Sequence, residues 1–306
     1  MVDLLIFAFG CACAAIGGEL FVHGLVGLAR LGRLPKGVVA ATFGAFATSS
    51  PELIVGITSA TRGVPELSLG DALGSNIVNV ALILAIPTLV MGLSVTREST
   101  YRDLPFALAI APIIGIAALG GVITREEAVL LLLVFAVWLG LVVIFALRNR
   151  VDDGEPVDGQ LFVWSAAVVG LLTLFLAGQL IVEGATGLAA AAGLPPFLIG
   201  ATVVALGTSV PELATVAVSS LRGHQEVGLQ TILGSNIFNS LFVVPIAALI
   251  HPISTDWHTL SLALGFGLGV TLLTVPFFQL RLGKWRGWLL ISAYAAYVAV
   301  NAATMG

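Results

Sequence analysis

The sequence predicts an all-α integral membrane protein of ten transmembrane helices arranged as two inverted five-helix repeats. Three observations predict it: an apolar composition, ten separable apolar runs and an internal duplication. Of 306 residues, 58% are hydrophobic and 10% charged, with a mean hydropathy of +1.08, whereas soluble chains are about a quarter charged. At about 20 residues per helical crossing, the length accommodates about ten spans and leaves little chain for a soluble domain. No G-x-x-x-x-G-K-[ST] phosphate loop is present, and neither a cofactor nor a nucleic-acid partner is expected.

Charges, prolines and glycine clusters split the chain into runs at 4–29, 37–60, 68–92, 104–121, 126–147, 161–190, 197–220, 228–250, 259–279 and 286–303. The first run has no basic leader and no evident cleavage site, so it reads as a retained helix. Its two cysteines, Cys11 and Cys13, point to different faces of one helix and read as packing residues. The first and sixth runs exceed one crossing and are expected to tilt. Between the fifth and sixth lies an acidic, turn-rich stretch, 149–160, that lacks the ligand pattern of an EF-hand. It reads as a solvated linker dividing the chain into a first repeat (1–150), a linker (151–160) and a second repeat (161–306). Eleven of the thirteen Lys and Arg residues fall after the odd-numbered runs, and only Arg62 and Arg125 lie on the other face. The positive-inside rule then puts both termini outside the cell and the linker in the cytoplasm, in a plasma-membrane protein.

Sliding the sequence on itself by 160 positions aligns Leu34–Asn79 with Leu194–Asn239, with 21 of 46 positions identical. Thr48-Ser49-x-Pro51-Glu52 matches Thr208-Ser209-x-Pro211-Glu212, and Gly74-Ser75-Asn76-Ile77-x-Asn79 matches Gly234-Ser235-Asn236-Ile237-x-Asn239. Five spans per half is an odd number, so the second copy enters the membrane from the opposite side. Inverted repeats of this kind are a recurrent transporter plan with the substrate site at the repeat interface; lacking a nucleotide loop, such a transporter would run on an ion gradient.

Glu52 and Glu212 fall roughly mid-span, where an acidic residue costs about 2.5–3.5 kcal/mol to insert and needs partners. The proline before each removes a hydrogen bond to the carbonyl four residues back, at Ala47 and Gly207, and is expected to break the helix and free those carbonyls. Thr48 and Ser49, like Thr208 and Ser209, lie one turn from the glutamate on its face, and the Ser75/Asn79 and Ser235/Asn239 pairs are each four apart. The repeated ligands are all oxygens. Such a set suits hard cations, and a flexible carboxylate and carbonyl cage suits Ca²⁺ better than Mg²⁺. The same oxygens could hold several Na⁺ ions, so competition for one ligand set is a mechanism for exchange.

The doubled G-T-S-x-P-E-type and G-S-N-I-x-N motifs resemble the α-repeats of the cation/calcium antiporter superfamily, with the prokaryotic sodium/calcium exchangers as the nearest branch. The resemblance implies Ca²⁺ ligation by Glu52 and Glu212 with the carbonyls of Thr48 and Thr208. It implies flanking Na⁺ sites from Ser49, Ser209, Ser75 and Ser235 with the carbonyls of Ala45 and Ala205, and Asn79 and Asn239 completing the centre. It further implies electrogenic exchange of about three Na⁺ for one Ca²⁺, with the first and sixth spans as a sliding gate. Many relatives carry Asp where this chain has Asn239, and losing that carboxylate argues against K⁺ co-transport. Proton-coupled Ca²⁺ exchange and a passive cation channel are the alternatives. An enzyme is not expected, because the serines lack a neighbouring base and no G-x-S-x-G occurs. A monomer is compatible with everything in the sequence.

Other polar residues read as structural. Asn76 and Asn236 divide between helix packing and the ion site. Asp71, aligned with Thr231 and one turn from Ser75 towards the outside, reads as a solvated residue, with attraction of entering cations as the alternative, and Glu19, aligned with Gln179, as a packing or vestibule residue. The four histidines show no ligand spacing.

Overall fold

The computed structural model describes residues 2–97, 99–149, 159–190, 200–276 and 280–304. Most of the predicted linker and the expected start of the seventh span lie outside the described residues. Helices α1 (Val2–Leu31), α2 (Lys36–Thr48), α3 (Ser50–Thr61), α4 (Glu66–Met91), α5 (Ser99–Ala117) and α6 (Arg125–Arg148) make up the first half. The second half holds α7 (Gln160–Ala190), α8 (Gly200–Thr208), α9 (Val210–Leu221), α10 (Gln225–Ile250), α11 (Trp257–Leu272) and α12 (Lys284–Thr304). Taking α2–α3 and α8–α9 as broken pairs, the described residues form ten helical runs near the predicted ones, although the ninth ends at Leu272, short of the predicted 279. By length and composition α4, α5, α6 and α10 are each apolar and long enough to cross a membrane, as are the two broken pairs if each is taken as one span. Large apolar side chains such as Phe43, Ile116, Leu130, Val137 and Leu172 are exposed on the outer surface, as a lipid-facing protein requires.

The breaks have a chemical cause. α2 meets α3 at 42° and α8 meets α9 at 47°. Each α3/α9 start has a proline in its first turn, Pro51 and Pro211, where a missing N–H has no intrahelical partner to lose. Proline therefore starts a new helix, and the turn falls at Ser49 and Ser209. The carbonyls of Ala47 and Gly207 accept backbone N–H groups at the caps. They are not the freed carbonyls that the proline spacing suggests, because the cap tightens to use them.

α4 and α10 stay continuous but widen into single π-turns at Asn79–Ile83 and Asn239–Val243. Pro87 and Pro245 follow, and the carbonyls four residues before them, at Ile83 and Leu241, lie inside those π-turns, where widening relieves the ring clash. Matching π-turns occupy Ala40–Gly44 and Gly200–Val204. The duplication thus extends to the irregularities of the helices.

The halves interlock reciprocally. A Cβ on Gly74 would stand 2.5 Å from the Ala201 carbonyl oxygen, and one on Gly234 would stand 2.3 Å from that of Ala41. Both glycines belong to the G-S-N motif, and both let α4 or α10 lie backbone to backbone on the π-turn of the opposite half, as a two-fold relation demands. α1 crosses α7 as closely: Gly24 presses on the Ala167 backbone, Gly170 on that of Phe21, and Gly27 on the Val163 side chain. Two short antiparallel pairings tie loop ends across the halves, β1 (Leu93–Ser94) with β4 (Arg281–Leu282) and β2 (Val122–Ile123) with β3 (Ile253–Ser254). A capping box opens α6, in which Thr124 accepts from the Glu127 N–H and the Glu127 carboxylate accepts from the Thr124 N–H. The apolar core runs through Ile77, Leu84, Ile114, Trp138, Ile237 and Tyr297.

Candidate site at the repeat interface

The broken pairs and the π-turned helices meet at the centre of the molecule. Glu52 is the third residue of α3 and Glu212 the third of α9, so each carboxylate sits at a helix N-terminus whose unpaired N–H groups and dipole favour negative charge. Glu52, Glu212, Thr48, Thr208, Ser75, Ser235, Asn79 and Asn239 are all fully buried.

The hydrogen bonds run across the halves. Ser49 Oγ of the first half donates to Glu212 Oε1 at 3.1 Å, and Ser235 Oγ donates to the same oxygen at 3.2 Å. Thr48 Oγ1 lies 3.4 Å from Ser235 Oγ, and its counterpart Thr208 Oγ1 lies 3.2 Å from Ser75 Oγ. Ser75 Oγ is also 3.5 Å from the Ala205 carbonyl, which accepts the Ser209 N–H at 3.1 Å. The Ala45 carbonyl accepts the Ser49 N–H at 2.9 Å.

What remains without a partner is as informative. Both oxygens of Glu52, Glu212 Oε2, Asn79 Oδ1, Ser209 Oγ and both amide atoms of Asn239 are buried and accept or donate no hydrogen bond within the protein. A buried polar atom left unpaired costs about 1–3 kcal/mol, and a cluster of such atoms needs an explanation beyond packing. Most of these are anionic or neutral oxygens, the chemistry that holds a hard cation. Among the described residues no three acidic, imidazole or thiol side chains converge on one point. Glu52 and Glu212 therefore stand among hydroxyls, amides and carbonyls rather than in a compact acidic cluster.

Of the twelve predicted positions, hydrogen bonds join Ala45, Thr48, Ser49, Glu212 and Ser235 in one cluster and Ser75, Ala205, Thr208 and Ser209 in a second, while Glu52, Asn79 and Asn239 are buried without such a link to either. Asn76 and Asn236 take part in helix packing, in which Asn76 Nδ2 donates to Ser240 Oγ at 2.7 Å and Asn236 Nδ2 donates to the Asn76 carbonyl at 3.1 Å, while Asn76 Oδ1 is buried without a partner. Asn236 Oδ1 accepts from Asn79 Nδ2 at 3.0 Å, which orients Asn79 Oδ1 away from that bond. Glu19 pairs with Arg222 on the surface between α1 and the end of α9. Asp71 is a correction. Read from the sequence as solvated, it is 1% exposed and lies 3.0 Å from Thr208 Oγ1 and 3.4 Å from Ser75 Oγ. The π-turn of the opposite half covers it; its position one turn before Ser75 was the signal that places it on the same face.

The chain is similar to known proteins. The chain matches the sodium/calcium exchanger protein family over residues 2–144 and 162–303, on both halves. It is 31% identical to CaxA of Alkalimonas amylolytica over 297 residues, 91% of this chain and 92% of that protein. It is 30% identical to the inner membrane protein YrbG of Escherichia coli K12 over 267 residues, 83% and 77% of the two chains. Sodium/calcium exchanger MaX1 of Methanosarcina acetivorans is 24% identical over 98% of both chains. Solved structures of the sodium-calcium exchanger NCX_Mj superpose with a TM-score of 0.82 over 97% of both chains at 24% identity, a likeness of fold.

Proposed function

The chain belongs to the sodium/calcium exchanger family, and from that premise we propose that it is a secondary antiporter that extrudes Ca²⁺ against inward Na⁺ at one shared site. The reading is carried by one observation: Glu52 and Glu212, one from each half, are fully buried at helix breaks and keep three carboxylate oxygens free of hydrogen bonds. Two carboxylates balance one Ca²⁺. In this reading Glu52 and Glu212 ligate it with the carbonyls of Thr48 and Thr208. Na⁺ occupies flanking positions built from Ser49, Ser209, Ser75 and Ser235 with the carbonyls of Ala45 and Ala205, and Asn79 and Asn239 close the centre. Because both ions require the same carboxylates, they take the site in turn, and access alternates between the faces of the membrane.

With about three Na⁺ entering per Ca²⁺ leaving, each cycle moves one net positive charge inward, so transport responds to voltage. Asn239 in place of a carboxylate leaves no charge for K⁺ at that position, and exchange is K⁺-independent. The ten runs cross the plasma membrane with both termini outside, the face poorer in Lys and Arg, and the two five-helix repeats, 1–150 and 161–306, are joined by a cytoplasmic linker. Ca²⁺ flux into proteoliposomes, with Na⁺, K⁺ and proton gradients imposed one at a time, tests the reading. Only the Na⁺ gradient is expected to drive uptake, and Glu52→Gln or Glu212→Gln abolishes it. Uptake driven by a pH jump without Na⁺ refutes Na⁺ coupling, and substantial flux in either variant refutes the site.

A further inference from the structure

Asp71 has no counterpart in the other half, where Thr231 stands at the corresponding position. Its carboxylate is buried, and the two groups it touches, the hydroxyls of Thr208 and Ser75, both belong to the Na⁺ position proposed on the Ala205 side. Both hydroxyls converge on Oδ1, while Oδ2 is buried with no hydrogen-bond partner. Among the described residues no Lys or Arg forms an ion pair with it, and its backbone is pressed by the opposite half: a Cβ on Gly200 would stand 2.7 Å from the Asp71 nitrogen. A carboxylate in a membrane interior with one oxygen unused and no cationic side chain paired to it is an incomplete ion site.

We infer that Asp71 is a direct ligand of the Na⁺ held by Ser75, Thr208 and the Ala205 carbonyl, so that this position is anionic while its mirror around Ser235, Thr48 and Ala45 has Thr231 in its place. The inference rests on the exchanger reading above and deepens it. The hydroxyls suit both states of the site, because each has one proton and two lone pairs. With Na⁺ absent, Ser75 and Thr208 give their protons to Oδ1; with Na⁺ present, their lone pairs and Asp71 face the ion. The charge count supports the assignment. Glu52 and Glu212 neutralise one Ca²⁺, but three Na⁺ in place of that Ca²⁺ carry one more positive charge, and Asp71 supplies the matching negative charge beside the position where the extra ion binds. Asp71 therefore favours the Na⁺-loaded form over the Ca²⁺-loaded one and biases the competition on which exchange depends.

The test measures Na⁺-driven ⁴⁵Ca²⁺ flux in proteoliposomes for the wild type, Asp71→Asn and Asp71→Thr, the last reproducing the residue of the other half. Both variants are expected to raise the Na⁺ concentration for half-maximal flux by about tenfold, with a lower Hill coefficient, while the half-saturating Ca²⁺ concentration shifts less than twofold. An unchanged Na⁺ dependence overturns the assignment, and so does an equal shift for both ions, which marks a packing role. If the variants transport too weakly to titrate, Na⁺-dependent protection against thermal unfolding in detergent is read instead: a curve shifted to higher Na⁺ supports the ligand, and one superposed on the wild type overturns it. Failure of the exchanger reading is distinct, since then the wild type itself shows no Na⁺-driven flux.

Discussion

Substituting Gly74 by alanine tests whether the reciprocal glycine contacts set the geometry of the site. The new methyl carbon would lie 2.5 Å from the Ala201 oxygen and 2.6 Å from its Cα, and both atoms are backbone, so no side-chain rotation relieves the clash. Ordinary contact begins near 3.4 Å, so α4 and the π-turn of α8 must separate by about 0.9 Å, the difference between the two distances. Overpacking of this kind costs about 1–3 kcal/mol. Ser75 is the next residue in the chain, and its oxygen stands 3.2 Å from Thr208 Oγ1 and 3.5 Å from the Ala205 carbonyl. A shift of that size takes both beyond useful contact, so the loss should fall on Na⁺ coupling as well as on stability. Thermal unfolding in detergent and Na⁺-driven Ca²⁺ flux are measured together for Gly74→Ala, with Gly140→Ala as the control. Gly140 lies in α6, and a Cβ added there would meet nothing within 4 Å, so alanine should be neutral or stabilise by about 0.5–1 kcal/mol. If Gly74→Ala matches the wild type in both measurements, close backbone packing does not position Ser75 and the geometry ascribed to the site is wrong.

Two further outcomes follow. Asn239 has both amide atoms unpaired and buried, so Asn239→Asp adds a charge where no proton donor meets it; flux should become sensitive to K⁺ or to pH, and identical ion dependence in the same liposome assay removes the role given to Asn239. Thr124→Ala deletes the side chain that accepts from the Glu127 N–H at the start of α6; loss of such a cap should lower unfolding stability by about 1 kcal/mol without altering the Na⁺ dependence of flux, since α6 carries none of the proposed ligands.

The duplication made the site legible. Residues that recur at a fixed offset with the spacing of a helix face can be placed together before any coordinates exist, and Glu52, Glu212 and the paired serines and asparagines were found that way. Asp71 escaped the same reasoning because its partner position is Thr231, so the comparison of halves argued against it. Its burial comes from a contact far along the chain: Gly200 lets the π-turn of α8 settle on the backbone of Leu67 and Asp71. The π-turns were equally hidden, since one extra residue in a turn leaves the apolar pattern on either side almost unchanged. The prolines told where helices would be disturbed; which carbonyls would be released depended on the cap, and the cap consumed Ala47 and Gly207.

The crossing of α1 and α7 restricts how the protein can work. Gly24 and Gly170 leave no side-chain layer between the two helices, and each backbone sits in a notch of the other. Rods meshed in this way cannot shear past one another without climbing out of those notches. Any displacement of one would therefore be handed to the other, so the long helices of the two halves are mechanically joined, though the chain places them more than a hundred residues apart.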